Sequence, residues 1–146
     1  MEMGKQSRRK TDTRLESEGA EFLVLGHLLV EGIQAYKSYV NYPGYDVIAV
    51  NPKRGRICRI QVKSRWATDF NRAFSIRNFG CAFVVLAALN RGYRYQKRKT
   101  RTDSGRQPPQ LYVLPVAVVK GSQDPKSGWG MVRLACIENL RQYENT

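Results

Sequence analysis

Two short strand-like segments joined by a tight reversal stand out in the pattern of apolar and polar positions. Residues 47–50 form an apolar run, and residues 59–63 alternate between polar and apolar side chains. Pro52 and Gly55, which lie between them, are residue types that favour a reversal of the chain. The pattern therefore predicts a β-hairpin.

The predicted hairpin brings three polar side chains to one place. If Asn51 and Arg56 flank a four-residue loop, antiparallel pairing puts Asp46 directly opposite Gln61. Because side chains alternate along a strand, Asp46, Gln61 and Lys63 then emerge on one face, near one end of the hairpin. Two oxygen ligands beside an ammonium group can hold a hard divalent cation next to a phosphate.

The rest of the chain alternates between helical and strand-like patterns. Apolar residues at three- and four-residue steps predict a helix over residues 15–33, and Thr13 with Glu16 matches the capping-box pattern. A short strand is expected over residues 35–40. After the hairpin we expect a weak strand over residues 73–76, a buried strand or buried helix over residues 81–89, an apolar strand interrupted by Pro115 over residues 111–119, and a closing helix over residues 132–143.

The charge of the chain indicates a class of partner. Lysine and arginine total 25 against 12 acidic residues, a formal net charge of +13. An excess of this size favours a polyanionic partner, most often nucleic acid, although a solubilising surface is the plainer explanation. A length of 146 residues favours one domain. We expect a basic N-terminal arm over residues 1–14 and a single domain over residues 15–146.

The cysteines and the apolar runs exclude several classes of protein. The three cysteines are an odd number without CxxC spacing, so neither a disulfide framework nor a zinc site is expected. Residues 1–14 lack the apolar segment of a signal peptide, and the longest apolar run, residues 81–89, is shorter than the roughly 20 residues that span a bilayer. We expect a cytoplasmic protein that has no membrane partner.

A basic segment separates the last two apolar runs. Residues 91–106 alternate cations with Tyr93 and Tyr95, a composition that suits a phosphate backbone with stacked bases. A solvated hairpin tip is the alternative explanation. The predicted nucleic-acid-binding residues are Arg91, Arg94, Lys97, Arg98, Lys99 and Arg101.

A magnesium site on the hairpin needs a second acid, because one carboxylate binds Mg²⁺ poorly. The predicted first helix offers Glu21, which lies within an otherwise apolar stretch, and Glu18, one turn earlier, as a reserve. In this hypothesis Glu21, Asp46 and Gln61 hold the metal, and Lys63 orients water or neutralises developing charge. Each residue also has a plainer role, such as an Asx turn for Asp46 or a solvent-facing lysine for Lys63.

These residues carry a family resemblance. Gly-Ala-Glu ends at Glu21, Gly-Tyr-Asp ends at Asp46, and Gln-Val-Lys runs from Gln61 to Lys63. This order resembles the PD-(D/E)XK nuclease superfamily, and the chain is most similar to small proteins related to archaeal Holliday-junction resolvases and restriction-type endonucleases. The resemblance implies an α/β fold with a restriction-endonuclease-like mixed β-sheet flanked by helices. It also implies Glu21, Asp46, Gln61 and Lys63 as the catalytic residues.

The implied activity is Mg²⁺-dependent (or Mn²⁺-dependent) hydrolysis of DNA phosphodiester bonds, with RNA as the other candidate substrate. Cutting both strands of a duplex favours a homodimer, because one active site faces one strand. One departure from the family pattern is Gln61, which stands where the family has an acid and therefore lacks a full negative charge.

Two alternatives remain open. The first is a catalytically inactive nucleic-acid-binding module that retains the nuclease fold, and the second is a basic RNA-binding accessory protein with an unrelated fold. His27 is the sole histidine, so zinc hydrolase and Ser-His chemistries lack their parts. We expect His27 and Trp66 to pack in the core.

Overall fold

The chain forms a five-stranded mixed sheet with helices on both faces and a small second sheet. The computed structural model describes residues 13–38, 45–68, 73–93, 102–128 and 130–144. The helices and strands are α1 (Thr13–Val30), β1 (Gln34–Lys37), β2 (Val47–Asn51), β3 (Arg56–Arg65), β4 (Ala73–Ser75), β5 (Phe83–Ala88), β6 (Gln110–Pro115), α2 (Val116–Ser122) and β7 (Met131–Arg133), followed by two short 3₁₀ helices (Leu134–Cys136 and Leu140–Tyr143).

The strand order of the large sheet is β1-β2-β3-β5-β6, and β4 pairs with β7 in the second sheet. β1, β2 and β3 are antiparallel neighbours, β3 and β5 are parallel, and β5 and β6 are antiparallel. The predicted α/β class with a mixed, helix-flanked sheet is therefore confirmed. Residues 81–89, left open between strand and helix, contain the buried strand β5.

Alternation along the strands gives the sheet two apolar faces. Ile60, Val47 and Val85 pack against α1 through its buried residues Ala20 and Val24. The opposite face forms a second core with α2 and the small sheet, built from larger side chains that include Phe74, Leu86, Leu114, Val119 and Val132. The two cores lie on opposite faces of the sheet. The site described below lies at the start of β2, beside the second half of β3.

Two sequence predictions of local structure are wrong. Residues 116–119 do not continue the strand over 111–119, because Pro115 ends β6 with φ −56° and α2 begins directly after it. The closing helix over residues 132–143 is instead β7 and two 3₁₀ helices. Val132 pairs with Phe74 in the small sheet, and Asn139 adopts the left-handed conformation (φ 53°), which interrupts a helix.

Two side chains expected in the core are exposed. His27 lies on α1 beside an open apolar groove of about 310 Å³, because the second half of α1 covers the sheet incompletely. Trp66 is 44% exposed, since it follows the last residue of β3 at the end of the sheet. α1 begins at Thr13, so the predicted arm of residues 1–14 shares its last two residues with the helix, and residues 1–12 lie outside the described part of the chain.

No helix in the described part of the chain is both long enough and apolar enough to cross a membrane.

Candidate active site

The β2–β3 hairpin has the register that the sequence predicts. Asn51 pairs with Arg56 across the turn, and Val47 pairs with Ile60. β2 begins at Val47, and the predicted pairing of Asp46 with Gln61 is not part of the ladder. The Asp46 N–H instead donates to the Ile60 carbonyl at 2.9 Å, so Asp46 still lies beside β3.

Asp46 is fixed by a hydrogen bond to the neighbouring strand. The backbone N–H of Val62 donates to Asp46 Oδ2 at 2.8 Å. This contact uses one carboxylate oxygen and points the side chain toward the end of β3. The carboxylate is therefore held rigidly before any ligand arrives.

Glu21 on α1 contacts Asp46, as the choice of a second acid requires. The Glu21 side chain is 16% exposed, and its carboxyl hydrogen-bonds the Asp46 side chain. Burial, together with this hydrogen bond and the Asp46 charge, raises the pKa of Glu21 to about 7, against an opposing effect of Lys37. Two carboxyl groups in contact share a proton more readily than they ionise together. A divalent cation would replace that proton.

Lys63 lies within electrostatic reach of Asp46 and is half-buried. Burial lowers the pKa of the Lys63 ammonium, and the negative charge of Asp46 acts in the opposite direction. Lys63 alternates with Val62 along β3, so its side chain lies on the face away from α1. Gln61 lies on this same face, two residues before it.

Gln61 carries a buried oxygen without a hydrogen-bond partner. Among the described residues, no hydrogen-bond donor contacts Gln61 Oε1. An unsatisfied buried acceptor costs about 1–3 kcal/mol, so its retention needs an explanation. An amide oxygen is a suitable ligand for Mg²⁺ or Ca²⁺, and the Asp46 carboxylate, which contacts Glu21, accepts from the N–H of Val62, the residue after Gln61. The donor set therefore fits a hard divalent cation.

The site is less acidic than a typical all-carboxylate metal centre. Among the described residues there is no group of three or more His, Cys, Asp and Glu side chains that could hold a metal ion. Two carboxylates and one amide oxygen are what the chain offers. Such a site binds a cation more weakly than three carboxylates would, because one negative charge is missing.

The acidic side of the site includes a lysine that the sequence analysis missed. Lys37 on β1 is 5% exposed and forms ion pairs with Glu18 and, at 3.6 Å, with Glu21. Its ammonium also lies 4.4 Å from the centre of the Phe22 ring. Glu18, the reserve acid, is thus engaged by Lys37 and is 53% exposed. The strand period that buries Ala35 places Lys37 on the same face, and this is the signal that was available.

Cys81 is a second missed neighbour of the site. It precedes β5 and is buried, and burial raises the pKa of its thiol. The backbone N–H of Gln61 donates a hydrogen bond to the thiol, and the charge of Asp46 acts on it as well. Only the parallel pairing of β3 with β5 brings these residues together, and no local pattern announces that pairing.

The predicted nucleic-acid-binding residues lie mostly outside the described part of the chain. Arg94, Lys97, Arg98, Lys99 and Arg101 fall in residues 94–101, of which nothing is described.

Arg91 is described and half-buried. Its Nε donates to the Leu89 carbonyl at 2.8 Å and its Nη2 to the Gln107 carbonyl at 2.5 Å. The backbones of Arg91 and Arg106 form an isolated antiparallel bridge between the segment that follows β5 and the segment that precedes β6. Arg91 therefore braces the base of the basic segment.

Two solved structures resemble this fold. A bacterial homing endonuclease has a TM-score of 0.57 and 18% identity, over 90% of this chain and 86% of that chain. A Holliday junction resolvase from the archaeal hyperthermophile Archaeoglobus fulgidus has a TM-score of 0.48 and 16% identity, over 84% of this chain and 87% of that chain. No protein-family model matches the chain, and no curated protein sequence matches it significantly. The likeness to the homing endonuclease is one of fold, and it agrees with the predicted restriction-endonuclease-like sheet.

Proposed function

We propose that this protein is a metal-dependent endonuclease that hydrolyses DNA phosphodiester bonds. The observation that carries the proposal is the Asp46–Glu21 carboxyl pair held against β3 by the Val62 N–H, with Lys63 within electrostatic reach and the buried, unpartnered Oε1 of Gln61 on the same strand. The fold that the chain shares with a homing endonuclease and the net charge of +13 support DNA as the substrate.

Glu21, Asp46 and Gln61 are the residues that would hold Mg²⁺ or Mn²⁺. When bound, such a cation polarises a phosphate oxygen and makes nearby water more acidic. Asp46 is already oriented by the Val62 N–H, so it needs no rearrangement to bind. Glu21 loses its shared proton when the cation arrives, which couples cation binding to proton release.

Lys63 is the residue that we assign to the reacting groups. In hydrolysis, the water oxygen forms a bond to phosphorus, the bond from phosphorus to one ester oxygen breaks, and the departing oxygen acquires a proton. An ammonium on this face can donate hydrogen bonds to the attacking water or to the phosphate, where negative charge develops. Burial lowers the pKa of Lys63, so this ammonium gives up a proton more readily than an exposed lysine does.

The second candidate is a nucleic-acid-binding module without activity. Gln61 favours it, because an amide in place of an acid removes one negative charge from the site. In that case the protein binds DNA and never cuts it.

Cleavage of supercoiled plasmid and branched DNA tests the proposal. We expect cutting with Mg²⁺ or Mn²⁺ and none in EDTA. Asp46→Asn keeps an acceptor for the Val62 N–H, and Lys63→Met keeps the length of the side chain. Each should lower the cleavage rate by on the order of 10²–10⁴-fold. Lys53→Met, on the exposed hairpin turn, is the matched control and should cut normally.

Cutting that survives both site substitutions would overturn the assignment, and DNA binding by the wild type without cutting on any substrate would favour the inactive module.

We further propose a homodimer, since cutting both strands needs two sites. Light scattering that gives a monomer both alone and on DNA would remove this part of the proposal.

A further inference from the structure

A shallow groove lies beside the start of β5, at the end of this strand opposite to Arg91. It measures about 430 Å³ and is lined by Ile57, Arg59, Phe79, Gly80, Cys81 and Ala82. Cys81 forms a wall shared by both places, because its thiol accepts a hydrogen bond from the Gln61 backbone. The groove therefore lies next to the backbone of Gln61.

Two cations stand at the margins of this groove, each over an aromatic ring. The Arg59 guanidinium lies 5.3 Å from the centre of the Tyr45 ring. The Lys120 ammonium, in the last turn of α2, lies 5.3 Å from the centre of the Phe79 ring. Stacking on a ring restrains a long side chain while its charge stays accessible.

Both cations are exposed and remain available to a ligand. In the part of the chain that the structure describes, no carboxylate lies within ion-pair distance of Arg59 or Lys120. An accessible arginine and lysine on either side of an apolar wall are suited to phosphate groups. The net charge of +13 argues for a polyanion rather than for an isolated anion.

The position of Arg59 on β3 connects the groove to the reaction. Arg59, Gln61 and Lys63 alternate along the strand and share one face, so consecutive members are about 6.6 Å apart. Arg59 precedes Gln61 along β3, and Lys63 follows it, so the two cations lie on opposite sides of Gln61. A strand of nucleic acid that crosses the site must leave it on both sides.

We propose that this groove binds the sugar–phosphate backbone of the DNA strand next to the bond that is cut, with Arg59 and Lys120 neutralising phosphates. Phe79 supplies a flat apolar wall for a sugar or a base. This inference rests on the proposed function, and it adds a binding surface at the start of β5, built from residues that the structure describes.

Salt-dependent binding tests the groove separately from cleavage. Fluorescence anisotropy of a labelled DNA duplex in EDTA gives the slope of log K against log salt over about 50–200 mM. The double variant Arg59→Met/Lys120→Met keeps contact with the rings but removes two charges. We expect a slope that is about 2 shallower than that of the wild type, and affinity at least roughly 10-fold lower at the low end of the range.

The control is Lys53→Met/Arg54→Met, which removes the same charge from the exposed turn at the far end of the hairpin. We expect it to change the slope by less than half as much. Equal effects of the two double variants would overturn the proposal. A labelled polyaspartate peptide that loses affinity as strongly as DNA does would also overturn it, because the groove would then bind polyanions without selecting nucleic acid.

Two further readouts separate failure of the groove from failure of the nuclease. The groove variant should keep the Mn²⁺-induced rise in melting temperature of the wild type, because it leaves Glu21, Asp46 and Gln61 intact. If the wild type cuts DNA, the Lys53→Met/Arg54→Met control should cut at the wild-type rate, whereas the groove variant should cut more slowly at limiting protein. If the wild type does not cut, the binding comparison still decides the fate of the groove.

Discussion

Two side-chain amides, those of Gln61 and Asn90, each leave a buried carbonyl oxygen without a hydrogen-bond partner among the described residues, yet their surroundings differ. Asn90 lies after β5, is fully buried, and adopts a left-handed conformation with φ 52°. Its Nδ2 donates to the Pro108 carbonyl at 3.1 Å and to Gln110 Oε1 at 3.4 Å. These contacts join the end of β5 to the segment that leads into β6.

Gln61 instead lies in a part of β3 that contacts ionisable groups. The N–H of the next residue, Val62, donates to Asp46, Glu21 contacts Asp46, and burial raises the pKa of Glu21 and lowers that of Lys63. The comparison teaches that an orphaned oxygen does not by itself mark a ligand site. What distinguishes Gln61 is the charged neighbourhood, which gains most from a cation.

The largest expected difference between Asn90 and Gln61 variants is in the free energy of unfolding of the metal-free protein. Asn90→Ala should lower the free energy of unfolding by about 2–3 kcal/mol, because it orphans the Pro108 carbonyl and forces alanine into a left-handed conformation. Asn90→Gly should recover roughly 1 kcal/mol of this loss. Gln61→Leu should be neutral or stabilising by up to about 1 kcal/mol, because it removes a buried, unsatisfied acceptor.

Urea denaturation in EDTA measures all three variants. A loss of stability in Gln61→Leu as large as that in Asn90→Ala would mean that both amides are structural, and the contrast between them would disappear.

A smaller change in stability is expected from substitution of Lys37, which forms ion pairs with the acids of the candidate site. Lys37→Met should destabilise the metal-free protein by about 1–2 kcal/mol, because Glu18 and Glu21 lose their buried cation. Mn²⁺ should then raise the melting temperature of Lys37→Met more than that of the wild type, because the metal replaces the missing positive charge. Scanning calorimetry with EDTA and with Mn²⁺ measures both effects. An unchanged Mn²⁺ response would show that Lys37 is electrically remote from the site.

A further effect is a pH dependence of stability that arises from Glu21. Folding raises the pKa of Glu21 from 4.5 to about 7, so the folded state holds this proton more tightly than the unfolded state does. The resulting stabilisation is present below about pH 4.5 and is lost as the pH rises through about 7. Glu21→Gln keeps a donor to Asp46 but does not titrate.

In EDTA, the melting temperature of the wild type relative to Glu21→Gln should therefore fall between about pH 5 and pH 8. Mn²⁺ should oppose this fall at the upper end. A difference that stays constant over the range would contradict the shared proton.

The sequence predicted the parts of the site that local pairing determines. The pairing of Asn51 with Arg56 and of Val47 with Ile60 follows from a four-residue turn, and the turn is visible in Pro52 and Gly55. α1 and its inward-facing Glu21 follow from helical spacing. These features need only the chain within one hairpin or one helix.

The missed parts depend on contacts between distant segments. Lys37 reaches Glu18 from another element, and Cys81 meets Gln61 only because β3 and β5 are parallel neighbours. The tail was assigned to a helix because the pairing of Val132 with Phe74 in a second sheet leaves no periodic signal. Exposure of His27 likewise depends on how far α1 extends over the sheet.

Direct measurement of Mn²⁺ binding by electron paramagnetic resonance tests the central claim. Wild-type protein should bind Mn²⁺ in competition with Mg²⁺, and Asp46→Asn should lose this binding while its melting temperature in EDTA stays close to that of the wild type. Gln61→Leu should bind more weakly than the wild type, whereas Asn90→Gly should bind equally well. No Mn²⁺ binding by the wild type, or equal binding by wild type and Asp46→Asn, would contradict the claim that Glu21, Asp46 and Gln61 form a metal site.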